Sequence, residues 1–255
     1  MLAQWYLEYR IHKNRPGLLG DVATLLGMLR INIVTVNGLT EDRRGFLLTA
    51  EAEKIEMLQK AIGDVEDIQL TALRPPQAID LVALRHGRSI TESEQVPPVY
   101  RFVREELGLM IDLMGQILKE DKAQILGIRG MPKVGKTEAA IAACVNASKR
   151  WIMVSGTIFR QTLRTRLTPE ETASDCVLLL DAITSTSRPL PEHRELVRQV
   201  LALPLPKVVE HPDIFVREGI LSSEAFCTII ELRREPDEVI SYERIASSPS
   251  AFDLS

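Results

Sequence analysis

Residues 124–149 run from QILGIRG through MPKVGKT into EAAIAACVNASK. The first run has the composition of a short central strand. The last reads as a helix whose small side chains let it lie close to a sheet. Between them the chain places Gly130 and Gly135, then Lys136 and Thr137. Strand, GxxxxGK[ST] and helix in this order commit this part of the chain to an α/β architecture. Backbone amides of such a loop converge on an anion, the lysine supplies charge, and the hydroxyl can bind magnesium. The same residues could also form a glycine-rich turn that holds no nucleotide.

If the loop is functional, an acid is required at the end of a neighbouring buried strand to hold magnesium or its waters. CVLLLD (176–181) has that form and ends in Asp181, although an ordinary buried strand can also end in a polar residue. RWIMVSG (150–156) predicts a further strand between the two. Ala182 follows Asp181, so an acid pair that polarises water is missing, and no guanine-selecting NKxD occurs. IFRQTLRTRL (158–167) places Arg160 and Arg164 on one helical face. They could neutralise a moving phosphoryl group or simply be solvated.

GMPKVGKT and CVLLLD make this half similar to the P-loop nucleotide-hydrolase superfamily, with a three-layer α/β domain and a mainly parallel sheet. The resemblance implies ATP or another NTP, with Mg2+, as cofactors. Gly130, Val134, Gly135, Lys136, Thr137 and Glu138 would hold the nucleotide, and Thr137 and Asp181 the metal. Lys136, Asp181 and one of Arg160 or Arg164 would serve phosphoryl chemistry. Residues 99–246 are assigned to this domain, opening on a helix over 99–120, and residues 247–255 to a mobile tail by composition. Within it, residues 193–219 read as a helix, a strand and a loop, and AFCTIIELRRE (225–235) as a late strand.

The first seventy-six residues have a different rhythm. WYLEYRIH alternates as a half-buried strand, leucines at helical spacing follow a Pro-Gly turn, and two β-rich runs join through Glu41–Arg44. IEMLQKAIGDV and DIQLTALRP then complete the order βαββαβ. That order predicts a ferredoxin-like four-stranded antiparallel sheet with two helices on one face, the other being solvated or covered by a partner. NRPGLLGDVATLL and INIVTVNG make the segment resemble the ACT family of regulatory domains. Asn14 stands where that family usually has an acid, while Arg15, Pro16 and Gly17 match. The resemblance implies subunit pairing, as a homodimer or higher homo-oligomer, around an amino acid or other small metabolite. Asn14 and Gly17 of the turn, the amides of Leu18, Leu19 and Gly20 at the helix start, and Asn32 from a facing subunit would bind it. A turn that only shapes an assembly module is the alternative.

Between the halves, IDLVALR could be an edge strand or a short helix, and residues 77–98 read as a linker bracketed by prolines. Composition narrows the rest. A net charge of −4 and 5% aromatic residues give no basis for nucleic acid as partner. LGLMIDLMGQIL is short and interrupted by Asp112 and Gln116, which argues against a membrane span. MLAQWYLEYR lacks the pattern of a secretion leader, and Cys144, Cys176 and Cys227 form no CxxC pair. A cytoplasmic chain with buried, reduced thiols and no zinc site is expected.

Together the two halves resemble an uncharacterised family of bacillar proteins. The expected activity is Mg-nucleotide binding with an N-terminal regulatory or assembly module, and slow NTP hydrolysis or phosphoryl transfer to a small molecule. The competing expectation is a non-catalytic regulator that binds nucleotide or another anion only as an effector.

Overall fold

The computed structural model describes residues 1–63, 65–90, 93, 95–120, 122–154, 168–170, 172–186 and 191–241, the side chains of 191–194 and 196 excepted. The chain divides into two compact α/β units, Met1–Ile90 and Thr91–Ser255. Each has its own sheet.

The first unit runs β1 (Ala3–Ile11), α1 (Leu18–Met28), β2 (Asn32–Gly38), β3 (Arg43–Ala50), α2 (Ala52–Gly63), β4 (Ile68–Arg74) and α3 (Ala78–His86). Its sheet is antiparallel with the order β2-β3-β1-β4. Alternation sends Leu7, Tyr9, Phe46 and Leu48 to one face, where Leu18, Val22 and Leu26 of α1 and Ile55, Leu58 and Ile62 of α2 close a core over them.

The opposite face differs from the sequence expectation. Residues 78–86, where IDLVALR left an edge strand and a short helix both open, form the short helix α3, whose Ala83 and Leu84 bury Tyr6, Leu39 and Leu47. The physical reason lies at both ends of the helix. The Asp80 carboxylate accepts the Gln77 N–H at 2.7 Å and a two-pronged hydrogen bond from Arg74 at 2.5 and 3.0 Å. At the other end Gly87 takes a left-handed φ of 63°. A Cβ there would lie 3.0 Å from Asn37 Nδ2, the atom that donates to the Leu84 carbonyl at 3.0 Å. Asn37→Ala should therefore destabilise the first unit by about 1 kcal/mol through loss of this bond. Faster amide exchange over residues 84–89 would report it, and unchanged exchange would show that Leu84 and Ala83 anchor α3 alone.

The second unit runs β5 (Val99–Val103), α4 (Leu107–Leu118), β6 (Ile125–Arg129), α5 (Lys136–Asn146), β7 (Arg150–Met153), β8 (Cys176–Asp181), α6 (Ala182–Thr186), α7 (Pro191–Ala202), β9 (Lys207–Glu210), α8 (Pro212–Arg217) and β10 (Thr228–Arg233). All six strands are parallel, in the order β5-β10-β6-β9-β8-β7. The apolar runs of β8 and β9 suit strands buried on both faces. Leu178, Leu180, Val209 and Ile229 share one core with Ala182 of α6, Val197 and Val200 of α7, and Ile214 and Phe215 of α8. α4 packs against α5, where a Cβ on Gly115 would lie 2.5 Å from Asn146 Oδ1.

Two local expectations are corrected here. Residues 99–103 are a strand at the head of what reads as one helix over 99–120, because Val99, Tyr100 and Phe102 are buried by pairing with β10. Residues 212–217, read as loop, form a short helix that starts on Pro212. Cys144 and Cys176 are buried as expected, whereas Cys227 is exposed. Among the described residues no helix is long and apolar enough to cross a membrane, and no cluster of His, Cys, Asp or Glu is arranged for a metal.

Candidate functional site

The carboxyl ends of β6, β8 and β9 bring Lys136, Asp181 and Glu210 together. β6 ends in Arg129, and the chain turns at Gly130. The turn is tight: a Cβ on Gly130 would lie 2.4 Å from the Leu232 carbonyl oxygen of β10 and 3.0 Å from Val134 Cγ1. The loop then alternates, with positive φ at Lys133 (61°) and at Gly135 (108°), and α5 begins on Lys136. Backbone of alternating hand turns successive N–H groups toward one side and forms a concavity for negative charge. The amino end of α5 adds its unsatisfied donors to that concavity.

Lys136 is buried, with its Nζ donating to the carbonyls of Gly130 (3.1 Å) and Met131 (2.9 Å). An ammonium has three N–H donors, so one is left without a partner among the described residues. Burial lowers the pKa of Lys136, and the charges of Glu210, Asp181, Glu138 and Glu238 oppose the shift. Thr137 Oγ1 donates to Glu210 Oε1 at 2.6 Å. Glu210 ends β9, the strand beside β6, and lies in register with Asp181 at the end of β8. Burial, reinforced by the Asp181 charge, pushes the Glu210 carboxyl up to about 7, against the Thr137 hydrogen bond and the Lys136 charge. Asp181 is also raised, chiefly by burial, while its Oδ1 accepts the Ile183 N–H at 2.9 Å. Burial drives the neighbouring His211 down to about 3. One lysine, one hydroxyl and two carboxylates thus meet where a loop presents amides, a donor set suited to an anion accompanied by a hard cation.

The expected residues distribute unevenly. Gly130, Val134, Gly135, Lys136 and Thr137 build the loop, with Val134 buried beneath it. Glu138 is exposed on the first turn of α5. Asp181 reaches this end of the sheet, yet the carboxylate bonded to Thr137 is that of Glu210. KVVE shares with CVLLLD the form of an apolar run ending in an acid, which is the signal that marks Glu210. Arg160 and Arg164 lie outside the described residues. Asp175, another acid in this half, is held by Arg150 at 2.7 and 2.8 Å.

In the first unit Asn14 and Gly17 form the turn into α1, and Gly17 has φ 88°. Leu18 is buried, with its amide donating to the Arg15 carbonyl at 3.3 Å, while Leu19 is exposed. Arg15 is engaged by Asp67 at 2.8 Å and Asp21 at 2.7 Å, so the basic residue of the turn already serves the fold. Asn32 opens β2 opposite Thr49.

Residues 70–253 match the family described as "Protein of unknown function (DUF3388)". The chain belongs to this family. The match begins within β4 and takes in the described second unit. A relative from Bacillus subtilis (strain 168), the "Uncharacterized protein YmfK", is 48% identical over 253 residues, covering 99% of this chain and 94% of its own length. Among solved structures, phospho-2-dehydro-3-deoxyheptonate aldolase from Thermotoga maritima aligns with 94% of this chain and 91% of its own, at 11% identity and a TM-score of 0.23. So low a score carries no likeness of fold.

Proposed function

We propose that the second unit is a P-loop-type domain that binds a magnesium nucleotide, with ATP the leading candidate, and that the first unit is an ACT-like regulatory or assembly module. The observation that carries this reading is Lys136. It is buried at the mouth of an amide-lined loop, with two N–H groups fixed on loop carbonyls and a third without a partner among the described residues. A buried ammonium is costly unless an anion compensates it.

The residues fit both groups that the reading requires. A Cβ on Gly135 would meet nothing within 4 Å, so the loop backbone is open where phosphate oxygens would approach. The Thr137 hydroxyl can donate to Glu210 and still offer a lone pair to magnesium, while Asp181 and Glu210 would hold the metal or its waters. Bound magnesium would supply Lewis-acid neutralisation of phosphate charge. The chain's own part is to position phosphate through the loop amides, to place the Lys136 charge beside it, and to keep the Thr137 hydroxyl oriented through Glu210. Such a site supports slow NTP hydrolysis or phosphoryl transfer to a small molecule in a cytoplasmic protein.

Calorimetric titration with ATP and GTP, with and without magnesium, tests the reading. Saturable magnesium-dependent binding is expected, weakened at least about tenfold, or about 1.4 kcal/mol, in Lys136→Ala. No heat with either nucleotide from folded protein would sink it. Binding without turnover would make the nucleotide an effector instead of a substrate.

A further inference from the structure

One acidic residue reaches Lys136 from a part of the chain that builds neither the loop nor the strand ends beside it. β10 finishes against the loop, since a Cβ on Gly130 would lie 2.4 Å from the Leu232 carbonyl oxygen. The residues that follow fold into a turn over 234–238. The Glu238 N–H donates to the Glu235 carbonyl at 3.1 Å, and the Glu238 carboxylate accepts the Arg234 N–H at 2.7 Å. Arg233 Nη1 braces the turn by donating to the Pro236 carbonyl at 2.8 Å. The turn also hangs on the loop itself, where Arg234 Nη2 donates to the Pro132 carbonyl at 3.0 Å.

Glu238 is half-buried, whereas Glu235, Pro236 and Asp237 beside it are exposed. Its charge acts on Lys136 together with those of Glu210, Asp181 and Glu138. When no anion is bound, that charge offsets part of the cost of burying an ammonium. A polyphosphate in the loop reverses the sign of its effect, because the Glu238 carboxylate then faces like charge. The bond from Arg234 to Pro132 is exposed, so water can replace it when the turn moves.

Resting on the nucleotide-binding reading, we propose that the 234–238 turn is an autoinhibitory latch on the phosphate loop. Glu238 stands in electrostatically for phosphate at Lys136, and a bound polyphosphate lifts the turn by releasing Arg234 from Pro132 and loosening the bonds within it. The coupling is reciprocal: anything that draws the turn away raises polyphosphate affinity by the factor with which polyphosphate favours the lifted turn.

The test titrates the full chain with Mg-ATP and with inorganic tripolyphosphate. Glu238→Gln removes the charge and keeps an acceptor for the Arg234 N–H, and should tighten both ligands at least about threefold. Glu235→Gln, an equal change of charge at an exposed position of the same turn, should leave both affinities nearly unchanged. Amide exchange reads the movement. With tripolyphosphate bound, residues 133–137 should exchange more slowly, and Arg234 and Glu238, whose N–H groups close the turn, faster. Parent-like affinity in Glu238→Gln, equal tightening in Glu235→Gln, or unchanged or slower exchange at Arg234 and Glu238 would overturn the latch and leave nucleotide binding standing. No binding of either ligand by the parent or by Glu238→Gln would overturn both.

Discussion

Gly130→Ala is expected to destabilise the second unit by about 3 kcal/mol, at the upper end of what overpacking a well-filled site costs. The added Cβ would lie 2.4 Å from a main-chain oxygen, that of Leu232, and no flexible side chain can swing aside to relieve it. Relief requires β6 and β10 to separate where Glu231 pairs with Arg129. Urea unfolding followed through Trp151 in a Trp5→Phe background would give the loss as a lowered midpoint, since the chain's two tryptophans are divided between the units. An unchanged midpoint would mean that the strand ends yield freely. Gly135→Ala makes the contrast. Its Cβ meets nothing within 4 Å, but φ is 108°, so about 1 kcal/mol of backbone strain is expected instead of a clash.

Glu210→Gln should stabilise the protein at pH 8 and leave its stability nearly unchanged at pH 4.5. In the fold the Glu210 carboxyl holds its proton up to about pH 7, against an ordinary 4.5. The native state therefore binds the extra proton between those values, and stability falls as pH rises through that window. The full shift corresponds to about 3 kcal/mol, and partial contact with water reduces it to about 2 kcal/mol. Glutamine removes this falling limb while its carbonyl still accepts from Thr137. His211 has the opposite slope: it stays neutral in the fold down to about pH 3 but protonates near 6.5 when unfolded. Its contribution is complete above pH 6.5 and is lost as pH falls toward 3. The two slopes oppose each other between pH 4.5 and 6.5 in the parent protein. Denaturation at pH 4.5, 6 and 8 would show the variant gaining steadily on the parent, and a gain independent of pH would refute the assignment.

The loop was legible in the sequence because its demands are local. Spacing alone fixes Gly130, Gly135, Lys136 and Thr137 between a strand and a helix, and the βαββαβ order of the first unit follows from alternation and turn chemistry. What could not be read depends on pairing between distant strands. Asp181 and Glu210 end two similar apolar runs, and only the order β6-β9-β8 decides which of them meets Thr137. The strand at Val99–Val103 is likewise invisible without β10, because its apolar residues also suit a helix. For IDLVALR the choice between edge strand and short helix stayed open, although Asp80 and Gly87 supply both ends of α3.

The position of β10 also bears on how the chain is made. β10 inserts between β5 and β6, with Thr228 opposite Leu126, about a hundred residues earlier. At ~5–20 residues per second of synthesis, β6 would wait roughly 5–20 s for that neighbour. During the interval the facing edges of β5 and β6 present open backbone donors and acceptors, the condition under which strands pair with the wrong chain. Pairing over such separations is also intrinsically slow. A nascent chain halted before Thr228 would carry GMPKVGKT on a strand that still lacked one of its two neighbours, making it a substrate for chaperones before it could be a receptor for any ligand.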